Sequence, residues 1–187
     1  MIFSDFCNDE ETLLSDKWNK NSKMTAVYDT LEDIPCISMS GTNNYPTLAP
    51  NITVPTNFKV KCKIYFPLNT TNDNWALFAY KSSGNYNTAL ASNQQFDLNF
   101  IGRANQSYLT ERNKTQNTTL TDNINLPTGE WVDLEFEYNN GEHKITIDGN
   151  ILNYINNKYD TNNGFFFLKG KLNNMYLANI LISEIIT

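Results

Sequence analysis

Three acidic residues set two apart, Asp133, Glu135 and Glu137, are the first groups in this sequence whose type and spacing could do chemistry. On an extended chain that spacing projects all three carboxylates from one face of a strand. A pair of carboxylates is what cleavage of a glycosidic bond needs, one acting as nucleophile or base and the other as acid. The intervening Val132, Leu134, Phe136 and Tyr138 are apolar, however, and the whole run also reads as an ordinary strand with one buried and one wetted face. A solvated face, with no catalytic residue, is the expectation.

Other reactive constellations are thin. His143 is the only histidine, so any Ser-His-Asp or Cys-His arrangement would have to use it, and its place just past a turn predicts an exposed side chain. Cys7, Cys36 and Cys62 fit no zinc spacing. Cys62 alternates in phase with Phe58, Val60, Ile64 and Phe66 and reads as a small buried hydrophobe. The 8 glycines are ungrouped, which excludes a phosphate-cradling loop. Asn72-Asp73-Asn74 and the run from Asp160 to Asn163 offer hard oxygen atoms of the kind calcium takes, but without an ordered ligand spacing. No cofactor is expected; a structural calcium is left open and its ligands are not assigned.

Recognition chemistry has better candidates. Sugar binding needs aromatic faces beside planar polar groups, and Trp75, Tyr80, Asp97, Asn99 and Arg103, with Tyr86 in the loop between, are the residues that could supply them. Phe165, Phe166 and Phe167 read either as a strand buried on both sides or as a surface whose outward rings meet another subunit.

The elements that must position these groups are strands. Residues 130 to 155 contain an alternating strand, an Asn140-Gly141 turn, a return strand with Ile145 and Ile147 on one face, an Asp148-Gly149 turn and a third apolar segment, an antiparallel meander. Asn57 to Phe66 predicts a strand with Lys59, Lys61, Lys63 and Tyr65 outward. Further strands are expected at Ile2 to Phe6, Met24 to Tyr28, Ile34 to Met39, Trp75 to Tyr80 and Gln94 to Gly102. Weaker ones are expected at Ser107 to Thr110 and Thr118 to Leu120, with another at Gly164 to Leu168 and a last one at Met175 to Ile185. Asn8 to Trp18 is the one place for a short helix, and the proline-rich Gly41 to Pro55 predicts a long irregular connection.

The Trp131-initiated hairpin ending in Asp148-Gly149, the opening Phe3-Ser4-Asp5-Phe6 with Leu13, Leu14 and Trp18, and the long closing run from Met175 resemble the concanavalin A-like lectin, glucanase and laminin-G-like jelly rolls. The resemblance implies an all-β, two-sheet antiparallel jelly-roll sandwich spanning residues 1–187 as one domain. The glucanase branch of that superfamily carries Glu-x-Asp-x-x-Glu; here the acids alternate without interruption and Trp131 stands in the first position, which puts catalysis in doubt. The opening and the hairpin also look like modules of bacteriophage tail, fibre and capsid-associated proteins. That implies a non-enzymatic virion component binding glycan or neighbouring structural proteins, an oligomer or part of a larger assembly. A jelly-roll glycoside hydrolase or a stand-alone lectin is the alternative.

Composition bounds these readings. With 187 residues the chain can bury a sizeable core, and 11 Phe, 10 Tyr and 3 Trp are ample to fill a sandwich. A net charge of −6 with 14 scattered basic residues disfavours nucleic acid. No apolar run is long enough to span a bilayer, and the acidic start from Met1 to Glu11 lacks a secretory pattern, so synthesis in a host cytoplasm is expected.

Overall fold

Two-residue turns with both central residues at positive φ set the geometry of the meander. In the computed structural model, which describes residues 1–8, 14–22, 24–41, 46–68, 75–82, 97–102, 108–113, 116–119, 126–155 and 167–186, Asn140 (φ 47) and Gly141 (φ 87) make one such turn and Asp148 (φ 45) and Gly149 (φ 80) the next. The backbone twist of this turn type matches that of the strands it joins. Glu32 (φ 52) and Asp33 (φ 62) form a third such turn, without a glycine.

In chain order the elements are β1 (Phe3–Asp5), α1 (Leu14–Lys17), β2 (Trp18–Lys20), β3 (Thr25–Leu31), β4 (Ile34–Gly41), β5 (Thr47–Pro50), β6 (Phe58–Tyr65), β7 (Trp75–Ser82), β8 (Asp97–Gly102), β9 (Tyr108–Asn113), β10 (Gln116–Thr119), β11 (Trp131–Asn139), β12 (Glu142–Ile147), β13 (Asn150–Ile155) and β14 (Phe167–Glu184). The strands form two antiparallel sheets that share β14. One runs β3-β4-β14-β6-β11-β12-β13, with β1 following β4 along the same edge of β14; the other runs β10-β9-β8-β7-β14-β5-β2. The expected all-β sandwich is what the chain forms, with one short helix among the described residues.

Two expectations are corrected. The segment from Gly41 to Pro55 is not wholly irregular: Thr47–Pro50 is a buried strand pairing β14 and β2, and its proline stands at the strand end, where a missing N–H costs least. The closing strand is also longer than expected. Leu168 and Met175 belong to one 18-residue β14 that begins at Phe167, inside the second sheet between β7 and β5. Phe165 and Phe166 lie outside the described residues.

The core is filled from alternating positions. Val60, Cys62 and Ile64 of β6, Val132, Leu134, Phe136 and Tyr138 of β11, and Ile145 and Ile147 of β12 are buried, and they meet Leu48, Phe78 and Leu168 of the other sheet. The Phe78 and Phe136 rings, 5.3 Å between centroids, join the layers. His143, expected outside, is fully buried, its ring centroid 4.6 Å from that of Tyr138. The cause is register. A two-residue turn pairs His143 with Tyr138, and cross-strand partners share a face.

A buried carboxylate fastens the opening of the chain. Asp5, 1% exposed, accepts hydrogen bonds from Trp18 Nε1 (2.6 Å), Tyr28 Oη (3.0 Å) and the Cys7 backbone N–H (3.0 Å), with Lys17 Nζ at 3.5 Å. The Phe3 and Trp18 rings pack edge to face at 5.2 Å. Replacing Asp5 by Ala removes the acceptor of the buried Trp18 N–H on β2 and of the half-buried Tyr28 hydroxyl on β3. We expect a loss of about 3 kcal/mol, seen as a fall in Tm of roughly 10 °C by thermal unfolding. A shift within about 1 °C would show that the network contributes little.

Candidate functional site

The outer face of the first sheet is ordered by two complementary alternations. Lys59, Lys61 and Lys63 of β6 lie opposite Glu137, Glu135 and Asp133 of β11. Lys63 Nζ is 2.8 Å from Asp133 Oδ1, Lys61 Nζ is 3.1 Å from Glu135 Oε2, and Lys59 bridges Glu135 and Glu137, 3.1 Å from the latter. Burial pushes the Glu135 carboxyl up, but hydrogen bonds and charge from Lys59 and Lys61 outweigh it and leave the group below its ordinary value. For Lys59, burial pulls the ammonium down and the two glutamates push it back up, for a net rise.

These partners decide what the three acids can do. Alternate residues of one strand stand roughly 7 Å apart, a separation that does not by itself exclude hydrolysis. A general acid must hold its proton near neutral pH, which needs a raised carboxyl pKa, and Glu135 is shifted the other way. The thiols fare no better as nucleophiles: burial, with help from Asp29, pushes Cys36 up to about 11, and burial raises Cys7 and Cys62 further. Among the described residues no group of three or more His, Cys, Asp or Glu side chains could hold a metal ion. The oxygen-rich runs at 72–74 and 160–163 lie outside those residues.

A cleft of about 350 Å³ opens on this face, lined by Lys61, Cys62, Asp133, Leu134, Glu135, Thr146, Asp148 and Gly149, at the small end of the range for ligand pockets. Its rim is clasped to the strand, because Asp148 Oδ1 accepts from the Asp133 backbone N–H and the Asp148 N–H donates to the Asp133 carbonyl, each at 3.1 Å. Next along the face comes an aromatic row. Tyr65 pairs with both Trp131 and Tyr176, with ring centroids 5.5 Å and 5.9 Å apart. Trp131 is half-buried, and its Nε1 is shielded with no acceptor among the described residues. What it can offer a ligand is ring face, not a hydrogen bond.

The sequence candidates fall elsewhere. Trp75, Tyr80, Asp97 and Asn99 lie on the neighbouring strands β7 and β8 of the second sheet. Asn99 pairs with Ala79 and Asp97 with Ser82, while Tyr80 occupies a register shift between Ala79 and Lys81. Trp75 stands at the opposite end of β7, where it pairs with Lys171. Tyr86 and Arg103 lie outside the described residues. The cleft and its aromatic row were missed, although one signal was present: Lys-x-Lys-x-Lys and Asp-x-Glu-x-Glu have the same period and opposite sign, so antiparallel pairing of the two strands matches them.

The ladder yields a measurable stability term. Because the folded pKa of Glu135 is depressed, its contribution is complete above the ordinary carboxylate range and is lost as pH falls through the folded value. Glu135→Gln is expected to lower stability by roughly 0.5–1 kcal/mol near neutral pH. The difference from wild type should shrink in high salt and vanish in acid, when urea midpoints of the two proteins are compared. A difference independent of pH would contradict the ion-pair account.

The sequence matches no family model and no curated protein. The fold is shared with many solved structures. A chain from work on endo-acting O-glycanases of the human gut microbiota that initiate mucin breakdown is 10% identical with a TM-score of 0.72, the match covering 100% of both chains. Carbohydrate-binding module CBM66 from Bacillus subtilis is 10% identical over 90% of this chain and 96% of its own, at a TM-score of 0.62. A glycoside hydrolase family 16 endo-glucanase from Bacteroides ovatus is 12% identical over 97% and 99%, at 0.65. At such identities the likeness shows the fold alone, and that fold is the concanavalin A-like jelly roll.

Proposed function

We propose that this chain is a non-catalytic carbohydrate-recognition jelly roll whose binding surface is the outer face of the first sheet. The observation that carries the reading is the adjacency on one face of the Tyr176, Tyr65 and Trp131 row and the cleft to which Asp133, Glu135, Lys61 and Asp148 contribute charged groups. A sugar ring presents apolar C–H groups on its flat side and hydroxyls at its edge, so it needs an aromatic face beside charged or planar hydrogen-bonding groups. Similar structures include a protein named as a carbohydrate-binding module and one named as a glucanase. Binding is preferred over hydrolysis because the acids alternate without the spacing of the glucanase motif, and because Lys59 and Lys61 hold the Glu135 carboxyl below its ordinary value, the direction opposite to that of a proton donor.

The setting we propose for this recognition is a virion, in which the protein binds cell-surface glycan or neighbouring structural proteins. That part rests on the resemblance of Phe3 to Trp18 and of the Trp131 hairpin to phage tail, fibre and capsid modules. Peptides of this chain in purified particles would support it, and their absence from particles produced by cells that express the chain would overturn it.

A glycan array probed with the purified chain should give defined positives. Trp131→Ala should weaken them about tenfold, the loss of one stacked ring, while Tyr80→Ala and Asp97→Ala leave them intact. If the strand β7 and β8 variants abolish binding and Trp131→Ala does not, the site belongs on the second sheet. Conversion of any glucan by the wild type, lost in Glu135→Gln, would replace the binding reading with hydrolysis.

A further inference from the structure

Natural sheets guard their outermost strands with charge, proline or bulges, because an open row of N–H and C=O groups pairs with any strand that approaches. The two ends of the first sheet differ in this respect. Strand β3 carries Asp29 and turns through Glu32 and Asp33. Strand β13, Asn150 to Ile155, carries no charge, no proline and no register shift, and among the described residues no strand pairs with its outer side. It also exposes two large apolar side chains, Ile151 at 51% and Ile155 at 76%.

We propose that β13 pairs with β13 of a second copy of this chain, joining two first sheets into one. The spacing is self-complementary. Ile151 and Ile155 lie two residues either side of Asn153, so an antiparallel pairing centred on Asn153 sets Ile151 against the other copy's Ile155, and Ile155 against its Ile151. Both pairs fall on the outer face, since Ile151 pairs with Thr146 and Asn153 with Lys144 within the sheet. A two-fold axis normal to the sheet produces this antiparallel join and keeps the same face outward in both copies. An unrelated partner would need its own apolar residues at matching spacing; a second copy supplies them by symmetry.

The join does not depend on the proposed sugar site, but it would give that site a second function. With five strand spacings from β11 to β11 of the second copy, and an offset along the strands because the clefts lie about three residues from the level of Asn153, the two clefts would sit roughly 30 Å apart and open in the same direction, a bivalent surface for repeating or clustered glycans.

Sedimentation of the full chain from micromolar to millimolar concentration should show a monomer–dimer equilibrium. The double variant Ile151→Lys, Ile155→Lys should be monomeric throughout, with an unchanged far-ultraviolet spectrum. In a separate variant, Asn153→Cys, mild oxidation should give a disulfide-linked dimer, because paired Cα atoms at the two-fold stand roughly 5 Å apart. Lys144→Cys should not cross-link, its two copies being about three strand spacings apart; the native Cys7, Cys36 and Cys62 are buried. A wild type that stays monomeric at millimolar concentration, a dimer that survives the double variant, or equal cross-linking through residue 144 would each overturn the proposal. Loss of the dimer should leave affinity for a single soluble saccharide unchanged and reduce binding to a densely coated surface at least tenfold, so failure of the dimer and failure of the sugar site are separately visible.

Discussion

A backbone buried between two layers must have its N–H and C=O groups paired along both sides, and β14 meets that requirement while changing sheets. Its first residues pair with β7 and β5, and its later ones with β6 on one side and β4 then β1 on the other. A straight strand cannot lie in both layers of a sandwich. The chain departs from regular pairing between Leu172 and Met175 and again between Ala178 and Leu181, and each interval holds an asparagine in the left-handed region, Asn174 (φ 52) and Asn179 (φ 51). Asparagine enters that region more readily than most residues, and such irregularities bend a strand and increase its twist. The positions of β6, and through it β11 and β12, follow from where β14 leaves the second sheet.

On that frame, the face carrying the cleft is set by pairing parity. A slip of one residue between β6 and β11 would turn Lys59, Lys61 and Lys63 inward and bring Val60, Cys62 and Ile64 out, a loss of buried apolar area that no surface ion pair could offset. The ladder therefore follows the core and does not establish it. What the ion pairs do is hold the carboxylates in place beside the Asp148-Gly149 turn, which is clasped to the Asp133 backbone and closes the cleft.

Local pattern made much of this legible. The alternation in Val132 to Tyr138 and in Phe58 to Ile64, together with Asn140-Gly141 and Asp148-Gly149, was enough for the meander and its inward residues. The position of His143 is legible too: a two-residue turn puts it opposite Tyr138, and Tyr138 faces the core. Other features depend on contacts far apart in sequence. Thr47 to Pro50 becomes a strand only because β14 and β2 lie on either side of it, and nothing within a proline-rich stretch announces those neighbours. Tyr176, Tyr65 and Trp131 form a row only after three strands distant in sequence are set side by side. The candidates Trp75, Tyr80, Asp97 and Asn99 do fall on adjacent strands, β7 and β8, but pairing separates Trp75 from Asp97 by most of the length of a strand.

The charge on the cleft face bears on the kind of glycan that would suit it. Three lysines oppose three acids across β6 and β11, so the ladder is close to neutral, and Asp148 at the rim adds a negative charge. The chain as a whole carries −6. A sialylated or sulfated sugar would approach against that field and would have to draw a lysine from a carboxylate that already holds it, an exchange of one ion pair for another with little net gain. A neutral hydroxyl asks less. It can donate to a carboxylate oxygen while the lysine stays in place, since an ionised carboxylate accepts several hydrogen bonds at once. At the site proposed above, an internally neutralised ladder beside an aromatic row would thus favour neutral saccharides over polyanions.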